Sequence, residues 1–221
     1  MQQDAYQPYR HLSVVDGVAA TLRDWMIGGR LRPGAQLKEI ELAETLKVSR
    51  HSLRAALQIV TREGLVRRER NRGAFVIALT AAEMEDLQIM REAIDTQAAR
   101  LTIERGLDLS PLREVVEAFE RLPPDAAPAA VNNTDVEFHR RFLEIVGSPR
   151  LLRAFSELEP QMRIMLAEPR DVPPAHDARL HRALFDALNS NDVEIARAGI
   201  RDHLSNSLSN SVRAIAARGI G

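Results

Sequence analysis

Four side chains in the second half of the chain carry donor atoms of the kind that hold a metal: Asp135, His139, His181 and His203. Asp135 and His139 stand four apart, so on a helix they share one face. His181 and His203 are 22 residues apart, with a turn-forming tract, Asn189-Ser-Asn-Asp192, almost midway between them. If the flanking segments fold back on one another as helices, each histidine lies roughly 15 Å from the turn, and both reach the same height. Three imidazoles and a carboxylate converging in a bundle suit a first-row divalent ion such as Zn, Ni or Mn. The plain alternative is a set of partly buried histidines held by hydrogen bonds, and spacing alone leaves both open. His11, His51 and His176 lack such company and read as surface or DNA-side residues.

One cation stands where it can serve the same site. Arg91 lies between Leu87 and Ile94 on the apolar side of a helical segment. A guanidinium there can grip a carboxylate through two hydrogen bonds. The alternative is a surface salt bridge with Glu92 or Asp95. Asn206 and Asn210, three and seven residues beyond His203, can line the same pocket. Arg140 and Arg141 follow His139, and at least one of them must point away from the metal side.

The elements that would position these groups are helical from Thr80 onward. Thr80 with Glu83 is a capping-box signature. It opens a helix carrying Met84, Leu87, Met90, Ile94, Ala98 and Leu101 and ending at Gly106. Five more helices are expected: Ser110 to about Leu122, Ala130 to Val146, Pro149 to about Glu168, Ala175 to Leu188, and Val193 to Ala217. Pro123-Pro124, Gly147, and the prolines at 169, 173 and 174 supply the breaks. Short connections imply an antiparallel bundle. The Ser/Asn-rich tract at 205–211 keeps Leu204, Leu208, Val212 and Ile215 at helical spacing, so it reads as helix.

The first third of the chain reads differently. Leu42, Ala43, Leu46 and Val48 form one face of a short helix, and Leu53, Ala56, Leu57 and Val60 one face of a second. Ser49 is a candidate N-cap for the second helix. Its first turn carries Arg50, His51, Ser52 and Arg54, which in a helix-turn-helix reach base edges in the major groove. Gly64 ends that helix. Leu65-Val66 and Ala74 to Ile77 read as strands of a small wing, whose connection carries Arg70, Asn71, Arg72 and Gly73 beside Arg67, Arg68 and Glu69. Asn and Gly suit the turn, and the arginines suit phosphate or minor-groove contact. A small helical domain with a solvated basic hairpin is the alternative.

These residues resemble the GntR family of winged-helix transcription regulators. The resemblance rests on Leu31-Arg-Pro-Gly34, Leu37, Glu39, Leu42-Ala43, Val48-Ser49-Arg50, Arg54-Ala-Ala-Leu57, Glu63-Gly-Leu-Val66 and Arg72-Gly-Ala-Phe-Val76, and covers about residues 12 to 78. Ser52 and Ala55 replace the Pro and Glu common in the family. Ile40 stands where the fatty-acid-responsive member has a DNA-binding Arg. These departures bear on operator sequence, not on DNA binding. From about 80 to 215 the chain resembles the ligand-sensing FCD domain of the FadR subfamily. The matching elements are Arg91-Glu-Ala-Ile-Asp95, Asp135-Val-Glu-Phe-His139, Gly147-Ser-Pro-Arg-Leu151, and His181 to Leu188 running on to His203-Leu204. Ser148 replaces a common Asn. The resemblance implies a divalent metal on Asp135, His139, His181 and His203, beside a pocket for a small carboxylate. It argues against an acyl-CoA ligand, because the acyl-CoA-binding branch lacks this set.

Composition fits a soluble, cytoplasmic reading. The 221 residues leave room for two modest domains, expected at 10–78 and 80–217. There is no Cys, so disulfides and thiolate ligation are excluded. No apolar run is long enough to span a membrane, and Met1 to Pro8 lacks the apolar core of a signal peptide. The near-zero net charge hides an asymmetry. Residues 1–78 carry 13 Lys/Arg against 8 Asp/Glu, and the remainder 17 against 23. A basic module on an acidic body fits a DNA reader attached to something else.

The expectation is therefore a mainly α protein. An N-terminal winged helix-turn-helix with a small β-wing is joined to an antiparallel all-α, FCD-like bundle that binds metal and effector. It would act as a homodimer on a palindromic double-stranded DNA operator, as a repressor released by a small carboxylate. Two alternatives are a metal-dependent hydrolase carried on a DNA-binding module, with Glu137 or Asp202 as the nearby acid, and a regulator whose metal is purely structural.

Overall fold

The computed structural model describes residues 13–167 and 172–216. His11, the expected first residues of the reader at 10–12, the helix stop at 168–169 and the expected end at Ala217 lie outside the described residues.

The chain opens with a helix that periodicity did not single out, α1 (Val14–Ile27). Ser13 caps it by accepting from the Asp16 N–H at 3.1 Å, and Val18, Leu22 and Met26 point inward. A two-residue strand, β1 (Gln36–Leu37), was also unforeseen, being too short to show alternation. It is followed by α2 (Glu39–Thr45) and α3 (Arg50–Arg62). Ser49 caps α3 through the Ser52 N–H at 3.0 Å. Gly64, at φ +75°, makes the left-handed exit that a side chain would resist.

The wing is β2 (Val66–Glu69) and β3 (Gly73–Val76), antiparallel, with Arg68 opposite Ala74 and Glu69 opposite Gly73. β1 pairs with the other edge of β3, giving the order β1-β3-β2. Leu37, Leu53, Leu57, Val60, Leu65 and Val76 close one hydrophobic core beneath these elements.

Thr80 opens α4 (Ala81–Arg105) with both halves of the capping box in place. Then follow α5 (Ser110–Glu120), α6 (Pro128–Val146), α7 (Pro149–Leu166), α8 (Pro174–Leu188) and α9 (Val193–Ala216). α6 and α8 each begin slightly earlier than expected, on a proline whose missing N–H costs nothing in the first helical turn. α4 packs along α9, α9 against α8, α8 against α5, α5 against α6, and α6 against α7 and α4. The second core fills the space between them, with Phe138, Phe142, Phe155, Met162 and Met165 almost fully buried. The expected inward face of α4 needs one correction. Met90 is half exposed, and the buried positions on that side are Gln88, Arg91 and Asp95.

The turn between α8 and α9 places the two distant histidines. Asn191 sits at φ +59°, and Asp192 accepts from the backbone N–H groups of Glu194 and Ile195 at 2.8 and 3.1 Å. Gly199 then lets α9 lie close against α8. A Cβ there would stand 2.5 Å from the Cβ of Ala187, inside contact distance.

Candidate metal centre and DNA-facing surface

α6, α8 and α9 bring Asp135, His139, His181 and His203 together in the bundle interior. One donor atom from each lies within 4.8 Å of all the others. All four are buried, with relative exposures of 6, 1, 1 and 4%.

Neighbouring groups fix which ring nitrogens face inward. His139 Nδ1 lies 3.2 Å from the Asp95 carboxylate on α4. His181 Nδ1 lies 2.8 Å from the backbone carbonyl of Asp177. Each of these acceptors calls for an N–H on Nδ1, which leaves Nε2 as the lone-pair nitrogen. His139 Nε2 faces His203 Nε2 at 3.2 Å, and His181 Nε2 lies 3.4 Å from Asp135 Oδ2. Phe119 stacks on the His181 ring at 4.5 Å, while Phe138 meets it edge-on, so the imidazole plane is held.

Electrostatics favour the ligating protonation states of Asp135, His139 and His203. Burial alone would push the Asp135 carboxyl up. The closeness of His181 and the charges around the carboxyl, Arg91 included, outweigh burial and hold it below the usual carboxylate range. Burial, reinforced by the Arg91 charge, lowers His139 despite Asp95 and Asp135. His203 is lowered well below its ordinary value, again by burial first. An ionised aspartate with neutral imidazoles is the form that binds a cation.

These residues fit a divalent ion. His181 Nε2, Asp135 Oδ1 and His203 Nδ1 are buried without a hydrogen-bond partner, which is costly unless something else engages the cluster.

Arg91 is buried on α4, 1% exposed, and none of its three guanidinium nitrogens has a hydrogen-bond partner. The surface salt bridge considered for it does not form. Glu92 pairs instead with Arg201 at 3.2 Å, and Asp95 with His139. A buried guanidinium without partners could engage an anion through two hydrogen bonds.

The expectation for Asn206 is corrected. It is exposed, and its amide donates to the Asp202 carbonyl at 2.8 Å. Three residues from His203 carry it to the outer side of α9, whereas Ser207 and Asn210 are buried. Arg140 and Arg141 both face away from the cluster, pairing with Glu159 and with Glu137. Asp202 is exposed and Glu137 lies in an exposed ion pair, so neither stands ready as a general base.

Sequence reasoning missed Asp95, the carboxylate behind His139, and the buried amides of Gln88 and Asn132. Gln88, Arg91 and Asp95 on α4 have the same spacing as Asn132, Asp135 and His139 on α6.

The other surface is basic. Arg50, His51 and Arg54 are exposed in the first turns of α3, and Ser52 is half-buried with its hydroxyl 2.9 Å from Ser49. Arg70, Arg72 and Gly73 are exposed in the hairpin, where Asn71 at φ +62° and Gly73 at φ +99° make the turn. Gln36 braces that turn by donating to the Arg72 carbonyl at 2.7 Å. Glu39, not singled out for a role, accepts from Arg54 Nε at 2.6 Å and lies 3.8 Å from Arg68. It thereby links α2, α3 and the wing.

Comparison with known proteins bears on both surfaces. Residues 15–76 match the family described as bacterial regulatory proteins, gntR family, and residues 86–206 match the FCD domain. An HTH-type transcriptional regulator in an unstable DNA locus of Streptomyces ambofaciens is 31% identical, over 83% of this chain and 78% of its own length. The gluconate operon transcriptional repressor of Bacillus licheniformis is 31% identical over 66% of this chain and 60% of its own. A crystal structure of a GntR transcriptional regulator from Rhodococcus sp. RHA1 superposes with a TM-score of 0.77 at 26% identity, covering 91% of this chain and 99% of that one.

Proposed function

The chain belongs to the GntR family of bacterial regulatory proteins and carries an FCD domain, and from that premise we propose how its two surfaces work together. α3 enters the major groove of an operator, with Arg50 and Arg54 reading base edges and His51 and Ser52 beside them. Arg70, Arg72 and Gly73 of the wing approach the backbone or minor groove. Asp135, His139, His181 and His203 hold a divalent ion, and a small carboxylate binds beside it with its anionic group on Arg91. When bound, the ion supplies positive charge for that carboxylate. Asp95 and the Asp177 carbonyl keep two imidazoles turned inward.

The observation that carries this reading is the pairing of a four-donor cluster with a buried guanidinium that has no partner of its own. Relatives named as operon repressors favour release of DNA by the carboxylate over activation. One recognition helix reads only a few base pairs, so two copies on a palindromic site are needed. Ile89 and Met90, exposed on α4 at 68 and 48%, offer an apolar face to the second copy. Among the described residues no helix is long and apolar enough to cross a membrane.

The hydrolase alternative is weaker, since the two acids weighed as bases face away from the cluster: Glu137 lies in an exposed ion pair with Arg141, and Asp202 is exposed. A purely structural metal would leave the Arg91 guanidinium unexplained.

The test has two arms. An operator is selected from random-sequence DNA with purified protein, and its release is followed with a panel of small carboxylates, with and without chelator. Metal-dependent release by at least one acid is expected. Metal-loaded protein that binds DNA and ignores every acid would reduce the metal to a structural role.

A further inference from the structure

One bundle helix contributes to both the winged-helix core and the main core of the bundle. Ile164, on α7, is 1% exposed and belongs to the winged-helix core with Leu22, Leu53 and Val60. Among the described residues it is the only member of that core from beyond Ile77. Its neighbours on the same helix, Met162, Met165 and Leu166, belong to the other core.

The residues on either side of Ile164 are held by α6 and α4, two of the helices that carry the proposed binding site. Asn132 on α6 is fully buried and donates to the Arg163 carbonyl at 2.8 Å. Asn133 accepts from the Arg163 guanidinium at 2.7 Å, and Glu159 accepts from its Nε at 2.9 Å. On the other flank, buried Gln88 on α4 donates to the Met165 sulfur at 3.9 Å. Asn132 lies one turn before Asp135, and Gln88 one turn before Arg91. Each grip on α7 is thus a single helical turn from a group that would touch metal or anion.

We propose that the segment Arg163–Met165 couples the metal and anion site to the DNA-reading unit, with Ile164 as its plug. The inference rests on the site reading given above. Loading the site moves α4 against α6. Asn132 and Gln88 pass that movement to α7 on both flanks of Ile164. A tightly packed core does not deform smoothly around a displaced side chain, so α1 and α3 must reseat. The grips on Arg163 and Met165 make Asn132 and Gln88 positioning residues.

The experiment uses the full chain and the metal alone as probe, Zn(II) or Ni(II) against chelator. Hydrogen exchange is followed in α1 and α3, and affinity for the selected operator is measured in parallel. In wild type, metal should alter exchange in α1 and α3 as well as in the bundle. It should also change operator affinity by about fivefold or more, the lower range of measured couplings. Ile164→Ala should retain metal while losing both distant responses. Asn132→Ala, which leaves the winged-helix core untouched, should do the same and serves if the first variant folds poorly. Wild-type-sized responses in metal-loaded Asn132→Ala would overturn the coupling. So would wild type that binds metal with no response in α1 or α3. Wild type that takes up no metal would instead remove the site reading, and the coupling with it.

Discussion

Asp95 on α4 reaches across the bundle to within 3.2 Å of His139 Nδ1 on α6, both side chains being almost fully buried. The contact joins a helix that supplies none of the four ligands to one that supplies two. A carboxylate behind a ligating imidazole fixes its tautomer and raises its basicity. Asp95→Asn should lower metal affinity by roughly 10–100-fold while leaving the four ligands in place. Competition against a chromogenic chelator measures this. Affinity unchanged within error would mean that Asp95 only packs.

Removing the ion or a ligand should destabilise the bundle. A ligand present at about 100 times its Kd stabilises by roughly 2.7 kcal/mol, equivalent to about 5–10 °C in Tm for a chain of this size. Chelation of wild type should lower Tm by about that much. His181→Ala and His203→Ala should show a lower metal content and a reduced response to chelator. Elemental analysis and melting curves on the same preparations decide the matter, and wild type that contains no metal after reconstitution would return the cluster to ordinary core histidines.

Arg91→Met should separate sensing from DNA binding. The guanidinium has no hydrogen-bond partner, so its loss should leave the Tm of the ligand-free protein unchanged or higher. Operator affinity should stay within about twofold of wild type, because Arg91 is buried in the bundle and is not part of the exposed basic surface of α3 and the wing. The carboxylate response should vanish. Release of DNA by the variant at the concentration that works on wild type would show that the anion binds elsewhere.

On the DNA side, Arg50→Ala and Arg54→Ala should each cost about 1–3 kcal/mol on the operator and much less on random DNA. Arg70→Ala and Arg72→Ala should weaken both DNAs alike and reduce the slope of log K against log salt by about 1. Glu39→Gln should mimic a mild Arg54 defect, since Glu39 holds the Arg54 Nε edge and leaves the other edge to a base. Gel shifts at two salt concentrations are sufficient, and equal losses on both DNAs for Arg50→Ala would exclude base reading by that residue.

Local signals survive in sequence, and cross-helix ones do not. Ser49, the Thr80–Glu83 box and Gly64 mark element ends through bonds made within a few residues, so they could be read directly. The six bundle helices followed from apolar spacing and proline breaks. α1 does carry a local signal, the Ser13 cap with Val18, Leu22 and Met26 at helical spacing, whereas β1 carries none because two residues cannot show a period. The four donors could be grouped because one pair shares a helix face and the other straddles a turn. Asp95 could not be grouped with them, because 44 residues separate it from His139 and nothing between fixes the register of α4 against α6. Asn206 misled for a related reason. A three-residue step from His203 is compatible with the same face, and only the packing of α9 on α4 and α8 shows that Asn206 turns outward while Ser207 and the expected Asn210 are buried.

Gly199 carries a consequence for inheritance. A single added methyl group at this position would meet Ala187 and lever α9 away from α8, one turn before His203. The coding change from glycine to alanine is one of the smallest available. If the protein represses as proposed, cells selected for permanent silencing of its target genes should therefore yield lesions at codon 199 alongside those at codons 135, 139, 181 and 203. A survey that scored only the ligands would count such a strain as intact while it no longer sensed anything.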